Sequence, residues 1–364
     1  MKVRVLLAMS GGVDSSVAAY LLKRQGHEVI GVFMRTGVHD SDHGLETDRK
    51  QGCCSALDAG DARRVADDLD IPFYALDFAD DFARIMDYFT DTYLGGRTPN
   101  PCIVCNNWLK FGKLSSYGRQ LDADFIATGH YARVEPGVCG AELHRACDGS
   151  KDQSYVLFGL RRSHLAKIMF PLGQMHKAEV RSLARQVGLP VADKPDSVEI
   201  CFIPNGDHAS FIRGRKPEAQ TAGHVRDRSG KVLAKHNGIE GFTVGQRKGL
   251  GFAASGKRYV LEIVPGSNDV VVGSAEELLS RGLRASLTNW LIDPPGSEPL
   301  PVQAKIRYRH PAAPGRAYCL EGGRIRVEFD TPQSAVTPGQ AVVCYQGSRV
   351  LAGAWIDGAL PLGN

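Results

Sequence analysis

The sequence predicts an α/β fold in which a parallel-sheet domain is followed by two β-rich ones. Three observations carry this. Short apolar runs alternate with amphipathic stretches up to about residue 130, the texture changes near residue 206 to short strand-like pieces divided by turn residues, and longer alternating strands follow from Leu283. Alternating strand and helix is the pattern of βαβ units, whose parallel sheets bind ligands at the carboxyl ends of their strands. The expected domains are 1–205 (α/β), 206–280 (small and β-rich) and 281–364 (an antiparallel β-barrel or sandwich).

In order, residues 3–9 form an apolar run of strand length, and residues 13–25 carry helical periodicity. Residues 28–34 and 72–78 read as strands, 62–69, 81–93 and 108–120 as helices, and 124–128 as the next strand. Three polar connections, 36–54, 95–106 and 188–206, are long for a compact domain, and loops of that length are usually functional or disordered. Cys139 and Cys147 fall in an irregular stretch. Farther on, residues 223–236 read as a hairpin about Arg228-Ser229-Gly230, with strands at 258–264, 269–273, 302–308, 324–329 and 341–346.

Composition narrows the class. A chain of 364 residues with 43% hydrophobic and 23% charged residues is ordinary for a globular protein and excludes disordered and fibrous classes. No run approaches the roughly 18 apolar residues that would span a bilayer. The first residues lead straight into an apolar segment without a signal-peptide layout, which predicts a cytoplasmic protein with no membrane partner. Nine cysteines, an odd number, then read as reduced thiols, metal ligands or catalytic groups. The net charge of +4 hides an asymmetry: residues 1–200 hold 24 Lys+Arg against 26 Asp+Glu, and residues 201–364 hold 20 against 14. A basic second half suits contact with a polyanion, and scattered charge on solvated faces is the alternative.

The strongest motif is Ser10-Gly11-Gly12-Val13-Asp14-Ser15-Ser16, between the first strand and the first helix. Glycines admit an anion close to the backbone, and hydroxyls and helix N-terminal N–H groups supply donors. A Walker loop would end in Gly-Lys-Ser/Thr. This loop has no lysine and carries an acid. Residues 251–258 (Gly251-Phe252-Ala253-Ala254-Ser255-Gly256-Lys257-Arg258) nearly spell a Walker loop but lead into a strand, so a Gly-rich β-hairpin is expected, with Arg247, Lys248, Lys257 and Arg258 available to RNA.

The Ser10–Ser16 string resembles that of the PP-loop, or N-type, ATP pyrophosphatases. Further strings narrow the resemblance: Asn100-Pro101-Cys102-Ile103-Val104-Cys105-Asn106, Ala127-Thr128-Gly129-His130-Tyr131-Ala132-Arg133, Lys151-Asp152-Gln153-Ser154-Tyr155, Asp196-Ser197-Val198-Glu199-Ile200-Cys201-Phe202-Ile203 and Phe242-Thr243-Val244-Gly245-Gln246-Arg247-Lys248-Gly249-Leu250. In this order, over nearly the whole chain, they are similar to the tRNA-specific 2-thiouridylase family (MnmA/TrmU). The resemblance implies an adenine nucleotide alpha hydrolase-like N-terminal fold and an enzyme that adenylates the C2 oxygen of a wobble uridine and replaces it with sulfur. It implies tRNAs for Lys, Glu and Gln as substrates, a relay protein or cysteine desulfurase as sulfur donor, and a monomer.

By motif position the resemblance makes Cys105 the nucleophile and Cys201 the persulfide carrier, the two able to close a disulfide. ATP, with Mg²⁺, falls to Ala8, Met9, Ser10, Gly11, Gly12, Val13, Asp14 and Ser15, with Met34 and Gly129; a plain turn glycine is the other reading of Gly129. The target base and tRNA fall to Asn100, Pro101, Cys102, Lys151, Asp152, Gln153, Arg307 and Tyr308, the last two on a strand whose basic residues share one face. Many family members carry Asp where this chain has Cys102. That departure makes a C-x-x-C with Cys105, and with Cys201 three thiolates are available to hold a [4Fe–4S] cluster. Cys319 and Cys344 read as structural thiols, and Cys53 and Cys54 have no assigned role. Two other functions fit parts of the pattern: another PP-loop adenylating enzyme, such as a small-molecule amidating synthetase, and a non-enzymatic tRNA-binding or iron–sulfur sensing protein.

Overall fold

A computed structural model describes residues 2–37, 55–196, 200–203, 205–252 and 256–362. The chain divides into two compact units, one of Met1–Ile85, Cys102–Gly206 and Ser348–Val350, the other of Met86–Pro101, Asp207–Gly347 and Leu351–Asn364. Cys53, Cys54 and most of the expected 36–54 connection lie outside the described residues, as do 253–255 of the Walker-like string.

The first unit is built on a parallel sheet of β1 (Arg4–Ala8), β2 (Glu28–Arg35), β3 (Phe73–Asp77), β4 (Phe125–Thr128) and β7 (Ile168–Met169), in the order β3-β2-β1-β4-β7. In β1, Val5, Leu6 and Leu7 are fully buried, so the strand reads as a continuous apolar run rather than an alternation, as a sheet covered on both faces requires. Leu6 pairs with Ile30 on one side and with Ile126 on the other. The order runs outward from β1 in both directions, which opens a crevice beyond the carboxyl ends of β1 and β4. Helix α1 (Val13–Arg24) buries Val17, Ala18 and Leu22, α2 (Ala56–Asp68) buries Ala62, Val65 and Ala66, and α6 (Lys177–Gln186) buries Val180 and Ala184 in the same core.

Three local differences from the sequence reading have physical causes. Helix α2 begins at Ala56 instead of 62, because Ser55 and Asp58 form a reciprocal capping box. Helix α3 (Ala79–Leu94) is followed by Gly96 at φ +67, but the polar connection after it ends early. Pro101 suits a first helical position, and from it one helical run continues through α4 (Pro101–Val104), nine π-helical residues (Cys105–Lys113) and α5 (Leu114–Gln120). Both C-x-x-C cysteines are therefore helical. The stretch around Cys139 is an antiparallel hairpin of β5 (Ala132–Gly137) and β6 (Gly140–Arg145), with Cys139 exposed in its turn.

In the second unit, after α7 (His208–Arg215), β8 (Gly223–Asp227), β9 (Val232–His236), β10 (Tyr259–Val264) and β11 (Asp269–Gly273) form a sheet ordered β10-β11-β8-β9 over Val225, Ile239, Val260 and Val270. Then β12 (Leu279–Trp290), β13 (Leu300–Lys305), β14 (Ala313–Leu320), β15 (Arg324–Ser334), β16 (Ala341–Gln346) and β17 (Arg349–Pro361) run β12-β15-β14-β13-β16-β17, and β12 pairs with β17 to close a barrel. Alternate residues point inward: Val302 and Ala304, Ile325 and Val327, Val342 and Cys344. Arg307 and Tyr308 lie past the end of β13, in a turn closed by His310 N donating to Arg307 O at 3.1 Å, so they do not share a strand face as expected. Among the described residues, no helix is long and apolar enough to cross a membrane.

Candidate active site

At the end of β1 the chain turns sharply into α1. Gly11 sits at φ +72, and a Cβ there would lie 2.1 Å from the carbonyl oxygen of Asp58, so neither the conformation nor the space admits a side chain. No side chain caps α1. The serines brace the turn from within: Ser10 N donates to Ser15 Oγ at 3.2 Å, and Gly12 O accepts from Ser15 Oγ at 3.1 Å and Ser16 Oγ at 2.9 Å. A helix N-terminus with no side-chain cap, opening at the carboxyl end of a central strand, has the geometry suited to an anion.

Gly129, just after β4, forms the opposite wall. A Cβ on it would lie 2.8 Å from Ser15 N and 2.9 Å from Asp14 C. It is thus a close-approach glycine: the chain after β4 passes the first turn of α1 this closely only because it has no side chain.

Asp14 opens onto a charged network. Its carboxylate accepts from Lys177 Nζ at 2.7 and 2.8 Å and from Tyr131 Oη at 2.7 Å. Lys177 also contacts Asp196 at 2.9 Å, and Asp196 is held by Arg181 at 2.6 Å and Lys151 at 2.8 Å. Burial alone would raise the Asp196 pKa, but the hydrogen bonds from Lys151 and Lys177 prevail and bring it to about 2. Burial, then the charge of Asp14, pushes the Tyr131 phenol upward, so it stays a neutral donor. Behind the turn, Lys194 Nζ donates to Gly11 O (3.0 Å), Asp58 (2.6 Å) and Asp61 (2.7 Å), fixing the start of α2 to the loop.

The cysteines are anchored by apolar neighbours. Cys102 is exposed and Cys105 half-buried on one helical run, with Ile103 fully buried between them and Asn106 donating to Val156 O at 3.0 Å. Cys201 is half-buried and is followed by Phe202, whose ring meets Phe82 edge-on at 5.7 Å. Among the described residues no three His, Cys, Asp or Glu side chains are grouped to hold a metal ion, Cys102, Cys105 and Cys201 included. The three thiols do not fit a [4Fe–4S] cluster as placed.

Family models match in sequence: the tRNA methyl transferase HUP domain over residues 3–205, the tRNA methyl transferase PRC-barrel domain over 209–274 and the aminomethyltransferase beta-barrel domain over 280–356. Proteins named tRNA-specific 2-thiouridylase MnmA are similar nearly end to end. That of Rhodopirellula baltica is 49% identical over 98% of this chain and 97% of its own, that of Geobacter metallireducens 48% over 99% and 98%, and one of Clostridium botulinum 44% over 98% and 100%. This chain belongs to the tRNA-specific 2-thiouridylase family. The domain descriptions speak of methyl transfer and the full-length relatives of thiolation. The relatives weigh more, because each match to them runs over 98–99% of this chain. Among solved structures, a 4-thiouridine synthetase–RNA complex with bound ATP covers 59% of this chain and 51% of its own at a TM-score of 0.37 and 14% identity, too slight a likeness to bear on function.

The residues that the thiouridylase resemblance links to tRNA are disposed unevenly. Lys151 is committed to Asp196, though its side chain is 40% exposed. Asp152 is buried and turned inward, accepting from Ala146 N, Ser154 N and Ser154 Oγ. Gln153 Oε1 accepts from Tyr131 N at 2.9 Å. This segment is therefore bound into the wall of the Asp14 network. Asn100 is half-buried and Pro101 buried, while Arg307 donates to Ser334 O at 3.4 Å and Tyr308 is 38% exposed with Lys305 Nζ 5.6 Å from its ring centroid. Ala8 and Met9 are buried at the end of β1, and Met34 is half-buried near the end of β2. The sequence reading missed Lys177 and Lys194. Lys177 lies 163 residues from its partner Asp14, and only the fold reveals the pair.

Proposed function

We propose that this chain is an ATP-dependent tRNA 2-thiouridylase that converts a wobble uridine to 2-thiouridine, releasing AMP and pyrophosphate. The observation that carries the reading is an anion cradle, its own loop without lysine, at the switch point of the sheet, in a chain 44–49% identical over nearly its whole length to proteins bearing that name.

Uracil C2 keeps its oxygen because oxide is a poor leaving group. Attack of that oxygen on the α-phosphorus of ATP expels pyrophosphate and leaves AMP as the group to be displaced. The Ser10–Ser15 turn and Gly129 would receive the phosphates, and Mg²⁺, which binds one or two carboxylates plus phosphate oxygens, would take Asp14 as its protein ligand. A persulfide on Cys201 then attacks C2 with its terminal sulfur and AMP departs. The Cys105 thiolate attacks the inner sulfur, the S–S bond breaks toward the new thiocarbonyl, and a Cys105–Cys201 disulfide remains for a thiol reductant to reopen. A desulfurase or relay protein supplies the persulfide sulfur. Asn100, Pro101 and Cys102 would face the extruded base, and Arg307 and Tyr308 the rest of the tRNA. The tRNAs for Lys, Glu and Gln are the expected substrates, and the enzyme works in the cytoplasm as a monomer.

Reconstitution with purified tRNA, ATP and a persulfide donor tests this, reading 2-thiouridine by nucleoside mass spectrometry and pyrophosphate in parallel. Both should appear together, and Cys201→Ser should lose the nucleoside while pyrophosphate release persists. Pyrophosphate without thiolation in the unaltered enzyme would instead indicate a different acceptor.

A further inference from the structure

The Ser10–Ser16 turn has the geometry suited to an anion but holds no cation of its own. A cation is brought to it from elsewhere in the same unit. Lys177 Nζ lies 2.7 and 2.8 Å from the two carboxylate oxygens of Asp14, in the first turn of α1, and 2.9 Å from Asp196 Oδ1. An ammonium has only as many donors as these oxygens, so all of them are committed to carboxylates. Lys151 and Arg181 contact Asp196 rather than Asp14, and Lys194 sits behind the turn on Gly11 O, Asp58 and Asp61.

Helix α6 itself does not call for a lysine at that point. Lys177 is its first residue, where the helix dipole disfavours a cation. The side chain is only 11% exposed, and an ammonium loses hydration on burial. The stem is held firmly all the same. Lys177 N donates to Asp148 Oδ2 at 3.0 Å, Asp148 Oδ1 accepts from Ser150 N and Ser150 Oγ, and His176 N donates to Glu179 Oε2 to close the first turn of α6. A stem fixed in this way presents its ammonium with little freedom left to lose when a ligand arrives.

We propose that Lys177 supplies the cation that the loop lacks, contacting the β- and γ-phosphates of bound ATP, the part that leaves as pyrophosphate. Asp14, the carboxylate that would serve Mg²⁺, is also the one that occupies most of the Lys177 donors. In a loaded site those donors are released to phosphate oxygens, while Asp196 keeps its hold and stops the side chain from swinging away. As the uridine C2 oxygen bonds to the α-phosphorus, the bond from that phosphorus to the bridging oxygen breaks, its electron pair passes to the pyrophosphate, and the N3 proton of uracil passes to water. Lys177 keeps its protons and faces the charge that grows on the leaving group. Cleavage at the α–β bond rests on the thiouridylase reading; the placement of the cation rests on the contacts.

The test is calorimetric titration of the full-length protein, with Mg²⁺ present, by α,β-methylene-ATP, which cannot be cleaved at that bridge, and by AMP, which lacks the β- and γ-phosphates. Partial unfolding of a variant lowers the stoichiometry and leaves the ratio of the two affinities intact. That ratio should fall by about tenfold or more in Lys177→Met, while Lys177→Arg, which keeps the charge, should retain at least about a third of it. A smaller fall in Lys177→Met, including an equal loss for both ligands, means a merely structural role and overturns the proposal. So does a Lys177→Arg ratio below that third, or an unaltered protein with no preference for the analogue. The expected ratios in a protein that forms no 2-thiouridine from tRNA, ATP and a persulfide donor would remove the thiouridylase reading and leave Lys177 on the polyphosphate.

Discussion

Gly129 shows how strictly one position can be fixed by its surroundings. The atoms that a Cβ would meet are main-chain atoms of Asp14 and Ser15, which cannot swing aside. Gly129→Ala should cost about 1–3 kcal/mol of stability, as overpacking does, and should weaken ATP binding by about tenfold or more, roughly 1.4 kcal/mol. Calorimetric titration with ATP checks it, and unchanged affinity would mean that the first turn of α1 tolerates being pushed away from the end of β4. His130 sits next to it, buried, with Nδ1 2.7 Å from Thr128 Oγ1. Burial, and then the charge of Lys110, lowers its pKa well below 6.5. The folded state therefore binds fewer protons than the unfolded one, and the contribution of His130 to stability is complete above pH 6.5 and lost as pH falls below it. Denaturant midpoints should drop between pH 7.5 and 5.5, and drop less in His130→Asn. The sequence motifs reached Gly129 because a glycine in a motif is visible by itself. They could not reach Lys177, whose meaning depends on a carboxylate 163 residues away.

At the scale of elements, the Ser10–Ser15 loop owes its shape to α2 as much as to α1. Lys194 links Gly11 O to Asp58 and Asp61, and Asp58 also closes the capping box of α2. Lys194→Met would leave the buried Asp58 carboxylate without its cation and Asp61 with Arg64 at 3.6 Å, at a cost of about 1–3 kcal/mol, and should weaken ATP binding by loosening the turn. Thermal melts and an ATP titration together test this; a loss of stability with unchanged affinity would confine Lys194 to a structural role. The alternation of apolar runs and helical periodicity made the parallel sheet legible, since each β1 residue reports burial on both faces. The helical run from Pro101 to Gln120 was not legible at its start. Its polar first turn reads as loop, and its helicity comes from buried anchors such as Ile103 and Leu109.

For the whole molecule, the excess of basic residues beyond residue 200 would supply long-range attraction to tRNA. Arg307 stands in a turn of the basic half, where its side chain donates to Ser334 O at 3.4 Å. Arg307→Ala should lower the magnitude of the slope of log affinity against log salt by about 1. Filter binding over a salt series gives that slope, and an unaltered slope would take Arg307 out of the phosphate contacts. Lys151 should change the slope less than an unengaged lysine would, since Asp196 already neutralises part of its charge. The closed barrel of the second unit holds Cys344, 1% exposed, with burial raising its thiol to about 12. That thiol is chemically silent while the barrel is intact. It therefore acts as a clock: its labelling rate under native conditions times the spontaneous opening of the barrel.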